Sequence, residues 1–406
     1  MSKPMDASIA SPGKLLLTAG KCAAVFFAAL FVLAASARAM SPVETKAEFA
    51  LIMDYATGAV LFEKNADQPT APASMSKLMT VAIVFEKLKS GELSLDDPFS
   101  VSVKAWRMQG SKMWVREGTE IPLADLLRGV IIQSGNDACI VIAENIAGSE
   151  DAFAELMTRK AREWGMTNSS FANASGWPHP DHKMSMRDLG ILARKIIKDY
   201  PDYYALFSER EFTWEKIRQS NRNPLLKAFD GADGLKTGHT DESGYGVVGA
   251  AVKDGVRRIV ILNGLESDKE RTREARRMML IAFNDFEEKT LFEAGDIVAD
   301  AAVFGGKAPA VPLITRDTVS VIAHRSALDN IKATFVYRGP VAAPVQEAQQ
   351  IGYLTVTQAT GEKRDYPLFA GRRVSETGTI GRIAIAAQRL FGKPERGDNA
   401  EASVAR

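Results

Sequence analysis

Strand-forming text stands at both ends of residues 47–284, and helix-forming text fills the middle. Residues 49–53 and 59–62 flank Asp54-Tyr55-Ala56-Thr57-Gly58, which predicts a β-hairpin with Gly58 supplying the left-handed turn position. Near the other end, residues 246–252 and 258–263 flank Lys253-Asp254-Gly255, a second hairpin. Strands at both ends with amphipathic helices between them predict one α+β domain. Its antiparallel sheet is closed by chain-distant strands and carries flanking helices. No repeat of 20–50 residues interrupts this plan.

Past residue 290 the helix signals fade. Residues 318–322, 331–337 and 352–357 alternate with period two, and Gly305-Gly306, Pro309, Pro312 and Gly339-Pro340 punctuate them. That text predicts a small all-β sandwich over 291–377. It holds no cluster of reactive groups, which suits a spacer or docking module. From Gly378 the pattern changes again. Ile380, Ile383, Ala384, Ala387 and Phe391 share one helix face, with Arg382, Arg389 and Lys393 on the other. An amphipathic helix over 378–393 with a basic polar side would lie in the interface of an anionic membrane. A helix packed on the β domain would need the same pattern. Residues 394–406 form a polar tail expected to lack structure.

The first 39 residues read as an address. Lys3, Lys14 and Lys21 precede the apolar run 22–35, and Ala37-Arg38-Ala39 follows it, as in a secretory signal cut before Met40. The run is too short for a membrane span, which takes about 20 apolar residues. Cleavage leaves a first folded domain over 40–290. It also turns a formal net charge of +1 into −2, by removing Lys3, Lys14, Lys21, Arg38 and Asp6. A nucleic-acid binder would need a basic surplus, so that class is excluded. Cys22 leaves with the address and Cys139 remains alone in an apolar run, which excludes a disulfide scaffold and a four-cysteine zinc site. A lone buried thiol suits an exported protein. His179, Asp181 and His182 fall in a turn-rich stretch with no third ligand cluster, and no metal is expected. Trp106, Met113 and Trp114, near Gly110-Ser111, would serve equally as a cleft lining or as core.

Three short motifs carry chemistry. Ser74-Met75-Ser76-Lys77 precedes a run that is apolar nearly all round, which predicts a buried helix with Ser74 in its first turn. Unpaired N–H groups there favour a developing oxyanion. Three residues along a helix put Lys77 on the same face as Ser74. A serine hydroxyl needs a neighbouring base, and a lysine in apolar surroundings loses its charge readily enough to be one. Ser134-Gly135-Asn136 follows a helical stretch over 123–132 and suits a tight loop presenting both polar side chains to one cavity. A hydroxyl can relay a proton, and an amide can hold a substrate amide by donor and acceptor at once. Lys236-Thr237-Gly238-His239-Thr240 stands before the strand text at 244–252. There Lys236 and Thr237 would bind an anion, Gly238 would let substrate approach the backbone, and the His239 N–H would donate to an oxyanion.

In order, spacing and context the three motifs resemble those of the serine D-alanyl-D-alanine carboxypeptidases, the low-molecular-mass penicillin-binding proteins. The likeness runs through 54–58, 72–80, 126–138 and 234–240, and extends to the C-terminal β domain and amphipathic helix. It implies a β-lactamase/transpeptidase-like catalytic domain that removes the terminal D-alanine from peptidoglycan stem pentapeptides, without a cofactor. It implies Ser74 as acylated nucleophile, Lys77 as base, Ser134 as proton relay and Asn136 as substrate holder. Lys236, Thr237, Gly238, His239 and Thr240 would line the substrate strand. Arg271, or its rival Arg273, would bind the terminal carboxylate. β-Lactams would be trapped on Ser74, and the protein would be periplasmic, attached by its C-terminal helix to the outer face of the cytoplasmic membrane. Related readings are a cross-link endopeptidase and a class A-like β-lactamase, though no convincing deacylating glutamate segment lies between the second and third motifs. A non-catalytic β-lactam sensor or wall-binding protein is the reading from a different class.

Overall fold

The computed structural model describes residues 43–357, 361, 363–378 and 400–404. The address at 1–39 and nearly all of the amphipathic segment 378–393 lie outside them. No helix among the described residues is long and apolar enough to cross a membrane.

Both predicted hairpins form. β1 (Phe49–Asp54) and β2 (Val60–Lys64) pair antiparallel. The Asp54 carboxylate accepts from Thr57 N at 2.7 Å and Thr57 Oγ1 at 2.6 Å, which holds the turn. β3 (Ala232–Thr240), β4 (Gly244–Lys253) and β5 (Val256–Leu265) form the far end. Asp254 and Gly255 both have positive φ, +51° and +78°, as a tight hairpin turn that matches strand twist requires. Closure between chain-distant strands occurs where β1 pairs with β5, from Phe49 opposite Asn263 to Asp54 opposite Arg258. The sheet order is β2-β1-β5-β4-β3, which leaves β3 at an edge.

Alternate residues of these strands bury on opposite faces, so both faces are apolar. Leu51, Met53, Val248 and Ile261 pack in one core with α1 (Lys77–Ser90), α2 (Leu123–Ile131), α3 (Asn136–Ala147), α4 (Glu150–Glu163) and α5 (Met186–Asp199). Ala50, Ile52, Val247 and Leu262 face the other way, onto α6 (Asp268–Asn284) through Met278 and Met279. Every residue from Lys77 to Phe85 is buried, as the all-round apolar text predicts. Ser149, Ser185 and Ser267 accept from the N–H three residues on and so start α4, α5 and α6.

The C-terminal region is all β, as expected. β6 (Phe286–Phe292) pairs with β9 (Val319–His324). β7 (Ile297–Phe304), β8 (Ala310–Ile314), β10 (Lys332–Tyr337), β11 (Gln350–Thr357), β12 (Lys363–Ala370) and β13 (Ala400–Val404) make a larger sheet, in the order β7-β8-β12-β11-β10-β13, with the two-residue strand Val341–Ala342 added parallel to β7 at its outer edge. Phe292, Val319 and Val321 of the small sheet share one core with Leu313, Leu354 and Leu368 of the large one. Two expectations need correction. The boundary placed at residues 290 and 291 falls inside β6, because the charged text Glu287-Glu288-Lys289 continues the look of the preceding helix. Residues 400–404, expected to lack structure, form an antiparallel edge strand on β10. An unpaired strand edge offers free N–H and C=O groups, and the short period-two text 400–404 satisfies them.

Candidate active site

The three motifs converge where α1, the loop before α3 and the edge strand β3 meet. Ser74 lies on a 3₁₀ turn, Ala73–Ser76, and the α-helix proper begins at Lys77. The expected first turn of α1 is therefore this tighter lead-in. Ala73 has φ +48°, a conformation L-residues rarely adopt, directly before the serine. Two glycines are required around this turn. A Cβ on Gly176 would come 2.0 Å from Ala73 O, and one on Gly238 would come 2.8 Å from Pro72 O. Absence of a side chain thus brings both the 173–177 loop and β3 against the serine turn.

Lys77 is fully buried, and three oxygens surround its Nζ. Ser74 Oγ and Asn136 Oδ1 are each at 2.8 Å, and Ser175 O is at 2.5 Å. Burial pushes the Lys77 amine down to about 8, with the buried Cys139 thiol opposing and Arg222 adding to the fall. A neutral amine has two N–H donors and one lone pair. With Asn136 and Ser175 taking the donors, the lone pair points at the Ser74 hydroxyl. Burial raises Cys139 to about 12, so it stays a thiol at neutral pH.

Ser134, with φ +60° in the loop between α2 and α3, accepts from Lys236 Nζ at 3.0 Å. Lys236 also donates to Thr237 O at 3.1 Å and is buried. Burial, then the nearby charges of Lys77 and Arg222, lowers its amine well below the usual lysine range. Asn136 is locked by its Nδ2 donating to Gln109 O at 2.9 Å and its N donating to Ser111 O at 2.7 Å.

Arg271 is buried on α6, ion-paired with Asp268, and its guanidinium sits 5.6 Å from the Tyr245 ring centroid. Arg273 points to solvent, with Glu270 at 3.9 Å. Of the two rivals it is Arg271 that faces the sheet. Tyr245 stands opposite His239 and stacks on it at 3.8 Å, which leads from Arg271 back to β3. Thr240 ends β3, with its Oγ1 bonded to the Ser243 hydroxyl at 2.8 Å and N–H at 3.1 Å in the β3–β4 turn. Met113 belongs to the core. Among the described residues no three His, Cys, Asp or Glu side chains form a group that could hold a metal. His182 is buried edge-on to Phe171, and burial pushes it down to about 3, so it is neutral.

Three participants carry no signal in the sequence. Arg222 reaches Ser111 Oγ at 2.6 Å, and its charge is felt at both Lys77 and Lys236. Ser175 contributes only a carbonyl. Asp137, fully buried beside Asn136, accepts from the N–H groups of Met113, Trp114, Val115 and Ala138 at 2.9–3.2 Å. Asp137→Ala would strand these donors. A loss of about 3 kcal/mol or more is expected, read as a lower melting temperature. A melting temperature unchanged within about 1 °C would contradict that role.

The cleft therefore gathers four basic side chains, Lys77, Lys236, Arg222 and Arg271, beside one serine hydroxyl. The carboxylate close to it is Asp137, whose oxygens are spent on backbone. A serine presented to a buried amine in an anion-attracting cleft is the equipment of a serine hydrolase. Residues 35–266 match the family model described as D-alanyl-D-alanine carboxypeptidase, and residues 286–376 match the C-terminal domain of penicillin-binding protein 5. Over 341 residues the chain is 36% identical to the D-alanyl-D-alanine carboxypeptidase DacC of Escherichia coli (strain K12), covering 82% of this chain and 85% of that one. It superposes on the D-alanyl-D-alanine carboxypeptidase DacD from Francisella tularensis with a TM-score of 0.74 and 29% identity, over 83% of this chain and 95% of that one. On penicillin-binding protein D2 from Listeria monocytogenes, solved in its ampicillin-bound form, the TM-score is 0.55 at 28% identity, over 60% and 100%. The chain belongs to the D-alanyl-D-alanine carboxypeptidase family of serine peptidases.

Proposed function

We propose that the chain removes the C-terminal D-alanine from peptidoglycan stem peptides through an acyl-enzyme on Ser74. As Ser74 Oγ attacks the carbonyl carbon of the penultimate D-alanine, Lys77 Nζ takes its proton. The backbone N–H groups of Ser74 and His239 hold the oxyanion, each such donor being worth about 10²–10³ in rate. The C–N bond then breaks as Ser134 relays the proton held on Lys77 Nζ to the departing amine, which leaves Lys77 neutral again. Water then attacks the ester as Lys77 takes its proton, and Lys77 returns that proton to Ser74 Oγ as the ester bond breaks. Asn136 holds the substrate amide, and Gly238 gives the peptide access to the β3 edge. β-Lactams acylate the same serine. The enzyme acts after export, with residues 378–393 on the outer face of the cytoplasmic membrane. Deleting residues 378–406 should release it from membranes and leave activity, and a truncated chain still sedimenting with membranes would sink the anchor.

One observation carries the reading of substrate: Lys236 on β3 lies within reach of the Arg271 charge, Asp137 is spent on backbone N–H groups, and Asp268, the partner of Arg271, stands out in solvent. Such a cleft favours a substrate that ends in a carboxylate, and Lys236, Thr237 and Arg271 would bind it. Diacetyl-L-Lys-D-Ala-D-Ala and its C-terminal amide test this directly. The acid should be cleaved with a kcat/KM at least about 10²-fold higher. Equal cleavage of both would contradict it. Asp137, spent on backbone N–H groups, does not supply the carboxylate that a class A-like β-lactamase needs to activate its deacylating water.

A further inference from the structure

Three of the five tryptophans in the chain are exposed, Trp106, Trp114 and Trp177. Trp106 closes the short helix Val103–Arg107 with Arg107. Trp114 follows it on the segment that Asn136, Arg222 and Asp137 fasten to the site. That segment gives its Gln109 and Ser111 carbonyls to Asn136, its Ser111 hydroxyl to Arg222 and three N–H groups to Asp137. Trp177 reaches over from the opposite loop and packs on Gly110, against which the Asn136 amide also rests. Trp114 has φ +74°, a costly conformation for an aromatic residue, yet its side chain remains half exposed. Backbone strain that keeps an indole in water calls for a ligand rather than a core.

Two cations lie among these rings. Lys112 Nζ is 5.5 Å from the Trp114 centroid and donates to Trp106 O at 2.8 Å, and the Arg107 guanidinium is 5.9 Å from the Trp106 ring. Among the described residues neither has a carboxylate partner. Their neighbours Lys104 and Arg116 do, Glu150 at 2.8 Å and Glu215 at 3.0 Å. Apolar rings and unpaired positive charges thus form one continuous surface that begins at Ser111, beside the groups proposed to hold the substrate amide. The carboxylate-binding end at Arg271 and Tyr245 is reached through β3 instead.

We infer that Trp106, Arg107, Lys112 and Trp114 form a subsite for the acyl-side portion of an acidic stem peptide. The unpaired cations take a free carboxylate on that peptide, and the indoles cover its aliphatic stretch. This inference rests on the carboxypeptidase reading. Stem peptides contain a γ-linked D-glutamyl residue whose α-carboxylate is free, which supplies the anion.

The test compares kcat/KM for three peptides: diacetyl-L-Lys-D-Ala-D-Ala, whose one carboxylate is the C-terminal one, the pentapeptide with γ-D-glutamate, and the same pentapeptide with that α-carboxylate amidated. The wild-type protein should prefer the acidic pentapeptide over the amidated one by about three- to tenfold at low salt, and less at 0.5 M salt. Arg107→Ala combined with Lys112→Ala should abolish that preference, while the tripeptide stays within about twofold of wild type. Trp114→Ala should lower kcat/KM for both pentapeptides and spare the tripeptide. Wild-type cleavage of both pentapeptides at equal rates overturns the subsite alone, without any variant. Loss in the double variant that is equal on all three peptides also overturns it, as a merely structural effect. Failure of wild type on the tripeptide would overturn the carboxypeptidase reading, and the subsite with it.

Discussion

Ser74→Ala is expected to lose D-alanine release by at least about 10⁴-fold and to take up no covalent penicillin. The loss is large because no other hydroxyl can take over the attack. The 3₁₀ turn at Ala73–Ser76 and the contacts of Gly176 and Gly238 with it place Ser74 Oγ at the Lys77 amine, whose other two oxygen partners are an amide and a carbonyl. Ser134 Oγ is already engaged by Lys236. Folding should be unaffected, since a half-buried hydroxyl with one partner is removed. Mass spectrometry of the variant after incubation with benzylpenicillin, beside a thermal melt, checks both statements. A labelled Ser74→Ala protein would place the nucleophile elsewhere.

Lys77→Met is expected to slow acylation by about 10³-fold, and the wild-type rate should carry the signature of this amine in its pH dependence. Only neutral Lys77 can accept the Ser74 proton. With the amine pushed down to about 8 by burial, about a tenth of it is neutral at pH 7. Acylation by a neutral-pH substrate should therefore rise about tenfold per pH unit on the acid side and level off above about 8. Stability follows with a definite sign. Between about 8 and the ordinary 10.5 the unfolded chain keeps the Lys77 proton that the folded chain has released, so stability rises with pH across that window and is lost as pH falls through 8. The melting temperature of wild type relative to Lys77→Met should climb between pH 8 and 10. A flat difference, together with an acylation limb centred near 10, would show a base that is charged in the resting enzyme.

How far the sequence reveals this molecule depends on the range of each signal. Hairpin turns are local, so Asp54 to Gly58 and Lys253 to Gly255 are readable, and closure of β1 on β5 follows from the need to bury both. Ser74 and Lys77 are three residues apart on one chain segment, which lets helical geometry alone bring them together. Arg222 and the Ser175 carbonyl arrive from irregular loops, where no periodicity marks the residue that will turn inward. The choice between Arg271 and Arg273 depends on which face of α6 meets Tyr245, and two residues along a helix put side chains on nearly opposite sides. Thr240 was legible as part of a strand but not as the residue whose hydroxyl would hold the turn with Ser243. Strand β6 was hidden because its exposed positions carry charges that also suit a helix. The edge strand at 400–404 is too short and too polar to announce itself without the open edge of β10.

The most direct measurement is the intact mass of the protein after incubation with benzylpenicillin, run beside D-alanine release from diacetyl-L-Lys-D-Ala-D-Ala. A single stoichiometric adduct on Ser74, together with D-alanine release, is the predicted result. Rapid penicillin turnover with no D-alanine would contradict it and mean a β-lactamase. An adduct without release would point to a sensor or a cross-link endopeptidase.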